Sequence, residues 1–378
     1  MGMGGFRRAS WDEVLQDSHD FGVDDDPFTF PTAAQDEAFD DWSKANWDHR
    51  IQTRASGIQP LNLPIPAGVD PYELIQPCTG TEAQGVAELK YACNAGLVIH
   101  LRRQASAWSI ELTDAAGTPV ALSDPSAVTF APNQFYDDRE QGSASGNANS
   151  TSNRDVIEID LSRIQLGEYG NGLFYVTASE AVGGGKGGKG GKGGGGGSSP
   201  PGESQHVVRV RGGTVLQAPL TIATELPLYV LGDYNNDDGR WQPASFASDA
   251  ITVLSSAWDD SRSGEGPTEN TPFDTKVQAA FLSGHSPTPF FGSPDGGGWL
   301  NNYPRFLEIW SGRTATLNGS LVSLWFAQVA QGPFACCQYY SPPNRDWNFD
   351  QRFLDPANLP PFTPVVGQVL RLGFMRQY

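Results

Sequence analysis

The sequence predicts a mainly β protein: a small α+β N-terminal unit followed by a C-terminal half that stacks short strands into a parallel β-helix or solenoid-like core. A β-sandwich is the alternative arrangement of the same strands. Three observations carry this. From residue 207 short β-branched and aromatic runs follow one another, at 207–210, 214–216, 220–223, 228–231, 251–254, 277–282, 306–310, 315–317 and 321–327. Turn clusters divide them, at Gly212-Gly213, 235–239, 293–298 and Asn318-Gly319. The 378 residues include 44 Gly, 28 Pro and only 3 Met, a mixture that favours turns and short strands over long helices. The spacing is not a strict repeat, yet each run is short enough to be one rung of a stack.

In chain order, residues 1–66 read as an acidic extended arm. It holds the run Asp20-Phe-Gly-Val-Asp-Asp-Asp-Pro27, short helical patches near 11–16 and 35–50, and a Pro-punctuated connector at 60–66. Residues 67–155 read as the α+β unit: a helix over 82–94 stopped by Gly96, strands at 97–101 and 108–113, and a hairpin turn at 114–117 leading into 118–122. Residues 156–378 form the solenoid-like domain, entered through strands at 156–161 and 173–177 and closed by a last strand at 365–374. Within it, 183–202 is Gly-rich with Lys186, Lys189 and Lys192, and reads as a flexible loop. Its G-K-G repeats lack the spacing of a phosphate-binding loop. The strands on either side belong together, so this loop is an insertion and not a boundary.

The formal net charge is −18. A surface that acidic repels phosphate, so nucleic acid is not an expected partner. No apolar run approaches the roughly 18 residues of a spanning helix, so the chain is read as not membrane-spanning, and the opening residues hold no apolar core of a signal peptide. The four Cys permit two disulfides. Cys78–Cys93 closes a short loop and is the better candidate, whereas the adjacent Cys336 and Cys337 would form a strained bridge.

Several clusters bear on chemistry. Asp233, Asn235 and Asp237 place oxygen ligands at alternate positions after a strand, as a calcium loop begins. The Gly then falls one place late, at 239, and position twelve is Ala244. No cofactor is expected apart from this calcium, with Asp259 and Asp260 as further oxygens; the competing reading is a turn in which Asn and Asp satisfy the backbone. Asp137, Asp138 and Glu140 surround Arg139. Paired carboxylates cleave glycosides when they flank a sugar, while an Arg among them favours a fixed ion-pair network. Tyr339, Tyr340, Trp347 and Phe349 could stack a sugar or partner, or cover the flank of the core. The five His are scattered, and neither H-E-x-x-H nor G-x-S-x-G occurs.

Segments in a fixed order carry a family resemblance: 87–99, Phe135-Tyr-Asp-Asp-Arg-Glu140, Ile157-Glu-Ile-Asp160, Gly172-Leu-Phe-Tyr-Val176, 220–235, 250–254, Asn302-Tyr-Pro-Arg-Phe-Leu-Glu308 and 340–350. Together they resemble the PilX-like, prepilin-associated envelope proteins of bacteria, over residues 60 to 360. The resemblance implies an exported, non-enzymatic β-rich protein at the cell surface. It would be associated with the type IV pilus or displayed for adhesion, with pilus or envelope proteins and surface glycans as partners. It carries no catalytic residues over. Such proteins begin with a hydrophobic helix, which does not precede Trp11 here. The alternative function is a polysaccharide-acting enzyme or carbohydrate-binding protein on a β-helix.

Overall fold

The computed structural model describes residues 41, 65–66, 68–83, 85–104, 107–140, 153–179, 206–264, 271–285, 303–330, 332 and 340–363. Most of the 1–66 arm, the Gly/Lys loop, Cys336, Cys337, Tyr339 and the 365–374 strand lie outside the described residues. Pro66–Thr363 forms one compact unit.

The strands are β1 (Leu97–Gln104), β2 (Ala107–Thr113), β3 (Val128–Tyr136), β4 (Asn153–Asp160), β5 (Leu173–Ser179), β6 (His206–Arg211), β7 (Leu220–Thr224), β8 (Leu228–Leu231), β9 (Ala244–Ser248), β10 (Ile251–Leu254), β11 (Thr275–Val277), β12 (Ala280–Ser283), β13 (Arg305–Phe306), β14 (Thr314–Val322) and β15 (Asn344–Phe349). They make two mixed, mostly parallel sheets. The first runs β11-β14-β12-β9-β7-β5-β1-β2, with β15 also on β14; the second runs β13-β10-β8-β6-β4-β3. Only β1–β2 and β3–β4 pair antiparallel among the named strands. From β4 to β10 successive strands alternate between the sheets.

Register makes the core. Leu97, Phe174, Ile222, Phe246 and Phe281 stand level on five neighbouring strands of the first sheet. Ile157, Val208, Leu228 and Ile251 do the same in the second. All nine side chains are buried and belong to one cluster. Period-2 alternation points each ladder into the space between the sheets. Each side chain contributes about 1.5–3 kcal/mol by leaving water.

One edge of the two-sheet core is polar. Asn235, with φ +54, donates to the carbonyls of Gln242 (2.7 Å) and Gln278 (3.0 Å), and Gln278 donates back to the Asn235 carbonyl at 2.8 Å. Asn318 and Arg352 both donate to Gln278 Oε1. These bonds satisfy buried amides where the chain turns.

Several expected elements are corrected. The helix over 82–94 is a single turn, α1 (Tyr91–Asn94). Gly85 takes φ +84, and Glu82 folds back to accept from Thr79 N (2.5 Å) and Lys90 Nζ (3.2 Å), so the chain winds in turns before it. The run 214–216 is no strand, and 118–122 keeps only an isolated bridge, Thr113 to Pro119. The run 277–282 divides into β11 and β12. Asn318-Gly319 is not a turn but the middle of β14, level with Asn348 and Phe349 of β15. The 67–155 and 156–378 segments share both sheets: β1 pairs with β5, and β4 runs through the 155/156 position.

Candidate functional site: a groove on the outer face of the second sheet

The outer face of the second sheet carries a level row: Glu158 on β4, Arg209 on β6, Tyr229 on β8, Thr252 on β10 and Arg305 on β13. Beside it an apolar patch of Val156, Val207, Tyr229, Leu254 and Leu307 is covered by Phe135 at the end of β3, with Trp258 packed against it. Phe135 meets Tyr229 edge-on at 5.0 Å and Trp258 at 5.8 Å.

The chain after β3 delivers the carboxylates that the sequence offered for catalysis. Asp137 accepts from Tyr229 Oη (2.6 Å) and Arg139 N (3.0 Å) and is 1% exposed. Burial would raise its pKa, but the charges of Arg154, Arg305 and Arg139 and the tyrosine hydrogen bond outweigh burial and hold it below the usual range. Glu140 accepts from Arg305 Nη2 and from Gly332 N at 2.9 Å. Arg305 also donates to Ala330 O at 2.8 Å. Arg139 donates to Phe306 O at 3.2 Å and lies 5.1 Å over the Tyr340 ring. Asp138 lines a small crevice with Tyr136, Trp258 and Arg262. The cluster is an ion-pair network bolting the end of β3 to β8 and β13.

Next to it opens a groove of about 680 Å³, floored by Leu231 and Arg209 and walled by Gln134, Trp258 and Asp259–Ser261. Its hub is Asp260. Oδ1 accepts from Arg209 Nη1 (2.6 Å) and Trp258 Nε1 (2.8 Å), and Oδ2 accepts from Gln134 Nε2 (2.7 Å). Glu158 grips Arg209 from the other side at 2.6 Å. The wall is a short 3-10 turn, Asp260–Arg262, capped by Asp259, which accepts from Ser261 N at 2.9 Å. Ser263 Oγ donates to Asp260 O, and Tyr136 N donates to Ser263 Oγ at 2.8 Å, which ties the wall to β3. A half-buried indole and an amide are thus held in fixed places above a charged and apolar floor. The groove is shallow and open to solvent, so it offers a ligand a surface with a few placed polar groups and not an enclosing pocket.

The other residues singled out in the sequence fall elsewhere. Asp233 accepts from Lys276 N (2.9 Å) and Asn236 Nδ2 (2.9 Å), Asn235 is buried in the amide network, and Asp237 accepts from Gly239 N and Arg240 Nε (2.7 Å). These side chains hold a turn by hydrogen bonds to its backbone and its neighbours. Among the described residues the group with potential metal-ligand spacing is Cys78, Glu82 and Cys93, whose two Cys are bridged to each other as expected. Tyr340 is buried under Arg139. Trp347 donates to Ala315 O at 3.1 Å, and Phe349 is exposed on the same face of β15, so the aromatic stretch divides between core and surface. His100 contacts Ser179, His206 packs against Trp108 and Phe130, and His285 contacts Ser323 at 2.6 Å.

Sequence reasoning missed Gln134, Arg209 and Trp258 as groove residues. The local signal was Trp258-Asp-Asp-Ser261, an indole beside a turn-capping Asp. No protein-family model, no curated protein and no solved structure matches the chain.

Proposed function

We propose that this chain is a non-enzymatic adhesion protein displayed on the bacterial cell envelope, a β-solenoid that engages a surface glycan in the groove beside Trp258. The observation that carries the reading is the Asp260 hub. It fixes the Trp258 indole and the Gln134 carboxamide beside one open groove, with the Arg209 guanidinium, itself taken up by Asp260 and Glu158, as the brace beneath them, and sugars are taken by an aromatic face together with placed planar hydrogen-bonding groups. The solenoid reading is supported by the alternation of β4 to β10 between two parallel sheets. The Cys78–Cys93 bridge suits an oxidising compartment. The polysaccharide-cleaving alternative is disfavoured because Asp137 and Glu140 are committed to Tyr229 and Arg305. Kinship with PilX-like proteins, and with it pilus association and envelope partners, rests on the ordered sequence segments alone.

The test is affinity electrophoresis through native gels containing soluble neutral or acidic polysaccharides. The expected result is retardation by at least one neutral polymer, lost in Trp258→Ala and weakened in Gln134→Ala. Unchanged mobility across the whole panel, or retardation that both variants retain, sinks the glycan reading.

A further inference from the structure

On the outer face of the first sheet, a strap crosses the stack far along the chain from the groove wall. It is the 3-10 turn Pro71–Ile75, capped by Asp70, with Leu74 and Ile75 buried. Two tyrosines fasten it. Tyr72 Oη lies 3.1 Å from Asp249 Oδ1 and 3.4 Å from Glu225 O. Tyr175 Oη, projecting from β5, lies 2.8 Å from Ile75 O and 2.6 Å from Glu225 Oε2. Thr177 Oγ1 donates to the other oxygen, Glu225 Oε1, at 2.5 Å.

The proton count at Tyr175 decides how the second fastening works. A phenol has one proton and here two acceptors. With Glu225 ionised, the charge-assisted bond to the carboxylate takes that proton. The Ile75 carbonyl then faces the hydroxyl oxygen with no proton between them. With Glu225 protonated by solvent, the acid proton goes to the Tyr175 oxygen and frees the phenol proton for Ile75 O.

The geometry points to a proton-operated clasp: a proton on Glu225 completes a relay from Glu225 through Tyr175 to the Ile75 carbonyl and fastens the strap, and loss of that proton opens it. The clasp is independent of the glycan reading.

The surroundings suit this task. Glu225 is faced by Tyr175, Thr177 and the backbone amide of Ala178 from β5 and by Tyr72 from the strap, whose cap is Asp70; Asp249 from the β9–β10 turn holds the same Tyr72 hydroxyl. Among the described residues no cationic side chain forms an ion pair with Glu225. Burial pushes its carboxyl up to about 7, against the opposing hydrogen bonds from Thr177 and Tyr175. Asp249, the other anchor, accepts from three successive amides, Gln328 N (2.5 Å), Val329 N (3.1 Å) and Ala330 N (2.8 Å). It holds Tyr72 whether or not the relay is complete.

Hydrogen exchange of the full chain, read by mass spectrometry on peptides covering residues 71–76 and corrected for intrinsic rates, tests the clasp at pH 6 and pH 8. The strap is expected to exchange about tenfold more slowly at pH 6, while β8 peptides keep one protection at both values. Glu225→Gln, whose amide donates to Tyr175 as the acid does, is expected to be slow at both. Tyr175→Phe is expected to be fast at both. Strap protection that ignores pH in the parent chain overturns the clasp, as does a pH response that persists in Glu225→Gln.

Discussion

Arg209 Nη1 and Asp260 Oδ1 sit 2.6 Å apart, joining β6 to a turn that follows β10. Both side chains are largely buried, and Glu158 completes the guanidinium's coordination. Removing the carboxylate leaves a half-paired guanidinium, a released indole N–H and a loose Gln134. Asp260→Ala is therefore expected to cost about 2–4 kcal/mol in urea unfolding. A double-mutant cycle with Arg209→Met should return a coupling of about 1–3 kcal/mol. Additive single effects would mean that the pair does not act as a unit.

The Arg305–Glu140 pair lies deeper, with Arg305 almost wholly buried. Breaking it from one side strands a charge. Arg305→Met leaves Glu140 with only Gly332 N, and is expected to destabilise by about 3–5 kcal/mol. Replacing both partners with apolar residues should recover part of that loss, because Glu140 is then no longer stranded while Asp137 keeps Arg154 and Arg139. A double variant less stable than Arg305→Met would refute this account.

These networks mark the limit of what the sequence discloses. The β-branched runs at 207–210, 220–223, 228–231 and 251–254 are legible because each sets Val, Ile or Leu into the inward ladder of its own sheet. Ala244–Ser248 forms β9 from Ala, Ser and Phe alone, where the neighbours on β7 and β12 supply the order that propensity lacks. Asn344–Phe349 looks like a polar loop and becomes β15 because β14 offers it an open edge. Asn318-Gly319 carries turn chemistry but is overridden on both counts: Asn318 donates to Gln278, and the backbone of Gly319 fits a crowded site. The groove was hidden for another reason. Gln134, Arg209 and Trp258 meet only through the register of β3, β6 and β10, which no local window contains.

Gly319 makes that crowding testable. A Cβ built there collides with the Ala279 carbonyl, which is backbone and cannot step aside, whereas Gly312 has open space around it and φ +75. Gly319→Ala should lower stability by about 3 kcal/mol or more through displacement of β11 and β12. Gly312→Ala should cost only about 1 kcal/mol, the strain of the left-handed conformation. Equal melting temperatures for the two variants would contradict the predicted clash.

The Cys78–Cys93 bridge joins residues separated by 15 positions. Closing a loop of that size stabilises by about 3 kcal/mol in the chain-entropy view. Cys78→Ser with Cys93→Ser should shift the urea midpoint by the corresponding amount, while β6 to β10 keep their exchange protection. A loss of protection throughout those strands would show that the bridge supports both sheets and not the strap region alone.

Glu308 gives the fold a stability that falls as pH rises. Its carboxyl is wholly buried at the end of β13, where it accepts from Ser255 N at 2.6 Å and Ser255 Oγ at 2.7 Å. Burial raises its pKa to about 7, against the pull of those two donors. The folded chain thus binds this proton more tightly than the unfolded chain does. The stabilisation is fully present below the unfolded value near 4.5 and is lost as pH rises through about 7, a change of about 3 kcal/mol for one such group. Glu225 adds to the same slope. Thermal unfolding followed from pH 5 to pH 8 should therefore show a falling midpoint. Glu308→Gln should flatten that fall, because the neutral amide fills the site at every pH. A slope unchanged in Glu308→Gln would show that the loss of stability comes from general repulsion among the chain's many acidic groups and not from this buried carboxyl.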